Sequence, residues 1–338
     1  MSFMFHPYPY VDHGAVNVIS GRGVQPIKGI IPVAKKIVSL LKAGKNVGID
    51  AYPGCDTHIL LNVLKQVSAG VSYTYVDAAA LLKPAEVLTE QLKPYLPEDR
   101  DIDPVLLYGR RYKDGYAGLQ EADKVAQLKE QLKTAKGLLV LGQGALAPEL
   151  QDSYDVRIWM DVTPRTAAIN FKYGHARNVG AGEDLPFGLL MRRNYYVDFE
   201  TAVELRWGLI RKEKMDLYIS ADVPEDMQMV SFAELKTLFE EMCERPFRCR
   251  PVYLEGVWGG FYVHKLRHLP KEMKNCAWIF DMIPMEVSIA AKLGDNEFEA
   301  PFFTFVQTMG EKLLGRKVYE QFGGYFPVRF NYDDTYHA

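Results

Sequence analysis

The sequence predicts an α/β domain built on a largely parallel sheet, followed by a smaller, mainly β domain. Two observations carry this expectation. From about Ile30 to Val230, short apolar runs alternate with segments of helical periodicity, the pattern of strands joined by crossover helices. From Pro251 onward the character changes to aromatic and β-branched runs, such as Phe298 to Val306, separated by turns like Gly294-Asp295-Asn296. At 338 residues and 48% hydrophobic composition, the chain is long enough to bury a core in each of two domains.

The elements follow in order. Ile30 to Lys42 reads as an amphipathic helix and Lys45-Asn46-Val47-Gly48-Ile49-Asp50 as a buried strand. A loop containing Pro53-Gly54 comes next, and then a helix through Ile59, Leu60, Val63 and Leu64. Val125, Leu128 and Leu132 recur at helical spacing ahead of the apolar run Leu138-Leu139-Val140-Leu141, and Val156 to Val162 reads as a further interior strand. Ser231-Phe232-Ala233-Glu234 matches a capping box, so a helix is expected from Phe232 to about Glu244, stopped by Pro246. The expected domains are residues 1–248 and 249–338, packed closely, since neither a low-complexity linker nor an internal repeat separates them.

Composition excludes several classes. The formal charge is −3 with acidic and basic residues intermixed, which argues against a nucleic acid or an anionic membrane as partner. The N-terminus has neither a basic nor an apolar leader region, and no apolar run approaches the roughly 20 residues that span a bilayer, so the expected location is cytoplasmic. Cys55, Cys243, Cys249 and Cys276 are widely spread, as reduced thiols are, and no His stands at zinc-finger spacing to the Cys243 and Cys249 pair.

The segment from Gly48 to His58 lies where a strand, a glycine loop and a helix would cradle phosphate. Laid on G-x-x-x-x-G-K-[ST], Ala51 takes the first Gly position, Asp56 the second, Thr57 the Lys and His58 the hydroxyl position. The lysine that offsets phosphate charge is missing, and a carboxylate stands in the cradle. Two readings stay open: a tight turn that holds no ligand, and a weak or altered phosphate site using Gly54 and Thr57.

Downstream, Gly137 to Leu146 followed by Tyr154 to Val162 resembles the strand, loop and strand of the uridine kinase and phosphoribulokinase group of P-loop kinases. That resemblance implies a magnesium-binding acid at the end of the first strand, where this chain has Gly142, and lid arginines, for which Arg192-Arg193 are the candidates. The alternative for the basic pair is a solvated face. The expectation is therefore a P-loop kinase-like domain without kinase chemistry.

Residues 251–338 resemble another family. Pro251-Val252-Tyr253-Leu254-Glu255-Gly256-Val257-Trp258-Gly259-Gly260, then Asn275 to Pro284, Leu313-Leu314-Gly315 and Phe322 to Tyr332 are similar, in this order, to the opening strands of type I phosphomannose isomerases. The match is to long bacterial class I members, in which a degenerate kinase-like region precedes the isomerase. It implies a partial cupin domain here and interconversion of mannose 6-phosphate and fructose 6-phosphate once that domain is complete. It also implies a zinc site at a Gln-x-His-Pro strand a few residues past Asp333-Asp334-Thr335-Tyr336-His337, outside this sequence, so no catalytic or metal residue is assigned in the chain. His264 and His268 stand at i, i+4 but amid Lys265, Arg267 and Lys271, which suits a surface pair better than a zinc site. Two alternatives to the isomerase stay open: a regulatory module whose degenerate loop binds a sugar phosphate or a nucleotide, and an atypical P-loop phosphotransferase that has replaced the lysine. A partial β domain further implies self-association through residues 251–338, or pairing with a chain carrying the rest of the barrel.

Overall fold

The computed structural model describes residues 16–101, 106, 109–183, 185–243, 288–293 and 296–301. Its main body is a seven-stranded mixed sheet, mostly parallel, in the order β2–β8–β7–β6–β3–β5–β4. The strands are β2 (Ile27–Lys28), β3 (Val47–Ala51), β4 (Thr74–Asp77), β5 (Leu138–Leu141), β6 (Val156–Asp161), β7 (Leu217–Ser220) and β8 (Gln228–Ser231). β4, β5, β3, β6 and β7 run parallel, while β8 and β2 continue the sheet antiparallel at one edge. Every residue of β3 and of β5 is buried, as expected of central parallel strands covered on both faces.

Helices α1 (Ile30–Lys42), α2 (Thr57–Val67), α3 (Ala85–Leu92), α4 (Gly115–Leu119) and α5 (Ala122–Thr134) belong to the first half. α1 shows how the sequence sets the packing: Val33, Ala34, Ile37, Val38 and Leu41 line one face and are buried, whereas Lys35 and Lys36 face water. The second half adds α6 (Pro164–Lys172), α7 (Phe187–Arg193), α8 (Phe199–Arg211) and α9 (Phe232–Cys243). A five-residue π segment, Asn194–Asp198, joins α7 to α8 and is buried throughout. The capping box expected at α9 forms in both directions: Ser231 N donates to Glu234 Oε2 at 2.7 Å, and Glu234 N donates to Ser231 Oγ at 3.2 Å.

A second, three-stranded sheet has the order β1–β9–β10, from β1 (Val16–Ile19), β9 (Ser288–Leu293) and β10 (Asn296–Pro301). β9 and β10 pair antiparallel, and β1 joins β9 in parallel, so this sheet combines residues from both ends of the chain. Phe298, which opens the β run expected at Phe298 to Val306, is 2% exposed and packs against Tyr218 of β7, with ring centroids 6.1 Å apart. The Trp258-Gly259-Gly260 motif, the Asn275–Pro284 segment, residues 302–338, and Cys249, Cys276, His264, His268 and His337 lie outside the described residues.

Candidate functional site

The chain leaves β3 toward β4 and leaves β6 in the opposite direction, toward β7. In open α/β sheets such a reversal opens a crevice beyond the carboxyl ends of the strands. Here that crevice is filled. Gly54, in the loop between β3 and α2, has φ +102°, and a Cβ on it would lie 2.6 Å from Ala167 Cα of α6. Only glycine allows that conformation and that approach together. Asn170 Nδ2 of α6 donates to Gly54 O at 2.8 Å and fixes the contact.

The loop also uses its own donors. Asp56 caps α2, its Oδ1 accepting from His58 N at 3.0 Å and from Ile59 N at 3.2 Å. A carboxylate of the chain thus sits where a cradle would hold an anion. Cys55 N donates to Tyr52 O. Burial pushes the Cys55 thiol well above its usual range, with the Asp161 and Asp222 charges adding to the effect, so the thiol is not an activated nucleophile.

The position of the implied magnesium ligand has a backbone conformation that strains any side chain. Gly142 has φ +131°, and a Cβ there would lie 3.3 Å from Ala78 Cβ and 3.5 Å from Asp77 Oδ1. Its amide donates to Ile49 O. The buried acid of this region is Asp50 on β3, absent from the sequence-based candidates. It accepts from Ala51 N at 2.8 Å, Gly144 N at 3.0 Å and Leu146 N at 2.7 Å, which ties the loop after β5 to β3. Burial raises its carboxyl from 3.8 to about 7, with the three amides pulling the other way. An acid closing the apolar run Val47-Gly48-Ile49 is the signal in the sequence that points to it.

Open space lies on the other side of β3. A cleft of about 240 Å³ forms at the carboxyl ends of β3, β4 and β5. Its polar lining comes from Thr57 and His58 in the first turn of α2, Asp77 at the end of β4, Gln143 after β5, and Arg177 and Asn178 from the segment before α7. His58, Asp77 and Arg177 are exposed to solvent. Asp77 Oδ1 accepts from Ala79 N at 2.9 Å, which holds its carboxylate at the strand end. This combination offers an imidazole and a guanidinium for an anion, with a carboxylate and an amide for hydroxyl groups.

The four sequence-based candidates fall in separate places. Thr57 lines this cleft, and Gly54 sits behind it against α6. Arg192 and Arg193 line a second cleft of about 180 Å³ between α3 and α7. They are not a solvated face, being 2% and 5% exposed. Their Nη2 atoms donate to Pro97 O and Val179 O, respectively. Carbonyl partners distant in sequence explain the burial, and the charge pattern alone does not show them.

Beneath the filled crevice lies a buried ion pair. Arg206 Nη1 of α8 lies 3.0 Å from both carboxylate oxygens of Asp161, and Tyr218 OH donates to Asp161 Oδ2 at 3.1 Å. The Arg206 guanidinium also covers the Tyr52 ring at 5.1 Å. Burial raises the Asp161 carboxyl, opposed by Arg206 and by these hydrogen bonds. Among the described residues, no group of three or more His, Cys, Asp or Glu side chains is placed to hold a metal ion, and no helix is long and apolar enough to cross a membrane.

Fold and site together define an α/β protein with a mostly parallel sheet and a polar cleft at the strand ends. The chain belongs to the family described as a domain of unknown function, DUF8485, whose profile matches residues 33–244. That span runs from within α1 to the end of α9 and covers strands β3 to β8 of the main sheet, including the cleft. No curated protein matches the chain. Among solved structures, it is similar to the mouse sulfotransferase SULT7A1 complexed with PAP, at 12% identity and a TM-score of 0.29, over 63% of this chain and 73% of that one. A likeness so distant carries no inference about ligand or chemistry.

Proposed function

We propose that residues 33–244 form a binding module for a small phosphorylated ligand, a sugar phosphate or a nucleotide, in a protein of the mannose 6-phosphate isomerase type. The observation that carries this reading is the cleft at the ends of β3, β4 and β5, where the first turn of α2, His58 and Arg177 meet Asp77 and Gln143. The parallel strands, numbered along the chain, stand in the order 2-3-1-4-5 with the glycine loop after the central strand, which supports a P-loop kinase-like origin. Phosphoryl transfer is not part of the proposal. Asp56 occupies the helix end, Thr57 stands where the lysine is needed, and Gly142 supplies no carboxylate at the magnesium position.

The isomerase assignment rests on the resemblance of the Trp258-Gly259-Gly260 and Phe322–Tyr332 motifs to type I phosphomannose isomerases. The module then acts as a sensor of substrate or nucleotide attached to an isomerase domain.

Calorimetric titration of the purified chain with mannose 6-phosphate and with ADP tests the binding claim. Saturable binding of one of them, weakened by Arg177→Ala, is the expected result, together with no ATP turnover. Binding of neither ligand, or steady ATP turnover, would contradict the reading.

A further inference from the structure

One wall of the strand-end cleft is the irregular segment from Arg177 to Gly180. Its fixed shape comes from a single helical stretch. Asn178 Nδ2 donates to Asp198 Oδ2 at 2.7 Å, to Asn194 Oδ1 at 2.8 Å and to Leu190 O at 3.2 Å. Val179 N donates to Asp198 Oδ2 at 3.2 Å, and Val179 O accepts from Arg193 Nη2. On its other side the wall meets α3, where a Cβ on Gly180 would strike Leu88.

The three acceptors, Leu190, Asn194 and Asp198, recur every four residues and so share one face of the helical stretch. Asn194 and Asp198 stand in its π segment and are fully buried. Asp198 is poorly placed for its neighbouring cation. Its Oδ1 lies 3.9 Å from Arg193 Nε, and neither of these buried atoms has a hydrogen bond. The short bonds of Asp198 go to the cleft wall. A buried carboxylate is costly unless its hydrogen bonds are strong, and those it makes are to Asn178 and Val179.

We propose that Asp198 is the positioning residue of the ligand site: through Asn178 and Val179 it sets the wall that carries Arg177 into the cleft. This rests on the cleft being a ligand site, and the test separates the two ideas. In Asp198→Ala, which removes the acceptor of both bonds, hydrogen exchange at the Val179 amide and across 177–180 should rise at least tenfold, and the affinity for mannose 6-phosphate or ADP should fall at least tenfold. The remote core variant Ile37→Val should change neither. Asp198→Asn, whose carboxamide oxygen can take the place of Oδ2, should keep both close to the unmodified chain, which a general loss of stability would not allow. If Asp198→Ala does not fold, Asn178→Ala removes the donating side of the clamp and should give the same two shifts. Unchanged exchange at Val179 in the folded variant overturns the inference. If the unmodified chain binds neither ligand, the functional reading fails while the exchange result still decides the role of Asp198.

Discussion

Asp50→Asn reads out the charge buried at the centre of the sheet. The carboxyl rises from 3.8 to about 7, chiefly through desolvation. Below pH 3.8 the folded and unfolded chains both hold the proton. Between 3.8 and 7 the unfolded chain releases it while the folded chain keeps it, so stability falls as pH increases; above 7 both have released it and the loss is complete. At about 1.4 kcal/mol per pH unit the whole loss is about 4 kcal/mol, of which about 2 kcal/mol falls between pH 5 and 7. The Asn carboxamide does not titrate, but it turns an NH2 group toward one of the Gly144 and Leu146 amides and leaves that donor unsatisfied. That costs about 1–3 kcal/mol at any pH. Urea unfolding of the two proteins at pH 5 and pH 7 should therefore show the variant less stable at pH 5, with the gap closing by about 2 kcal/mol, or changing sign, at pH 7. A gap equal at both pH values would refute the account of Asp50 as a buried acid whose ionisation opposes folding.

Gly54→Ala should cost about 3 kcal/mol, because φ +102° and the Ala167 backbone both oppose a side chain. Calorimetry should show a melting point lowered by roughly 6–12 °C, whereas no change would mean that α6 does not sit on the loop. Arg206→Met leaves Asp161 charged and buried, for a loss of about 3–5 kcal/mol by chemical denaturation. Adding Asp161→Asn should recover part of it, and purely additive losses would contradict direct pairing. Asp56→Ala removes the cap of α2 for about 1 kcal/mol and frees the His58 and Ile59 amides. Inorganic phosphate should then bind more tightly by calorimetry, and weaker binding would show that Asp56 does not compete with an anion there.

The parallel core is legible in the sequence because its signals are local. α1 ends at the residues its apolar spacing predicts, β5 is an uninterrupted apolar run and β3 one interrupted only by Asp50, and the capping box announces α9. The features the sequence does not show depend on partners far along the chain. β1 pairs with β9 across more than 270 residues. The burial of Arg192 and Arg193 depends on the carbonyls of Pro97 and Val179, and the π segment has no glycine or proline to mark it. The cleft residues His58, Asp77, Gln143 and Arg177 come from four separate segments, and only the sheet brings them together.

The central claim is that the strand-end cleft holds a phosphorylated ligand and leaves it unchanged. Backbone amide NMR of the chain, titrated with mannose 6-phosphate and then with ADP, tests it most directly. The account predicts saturable shifts confined to 57–58, Asp77, 142–143 and 177–180, with the phosphorus spectrum of the ligand unchanged in chemical identity after prolonged incubation. Shifts centred on Arg192 and Arg193 with the strand ends silent, or the appearance of a new phosphorus species, would contradict it.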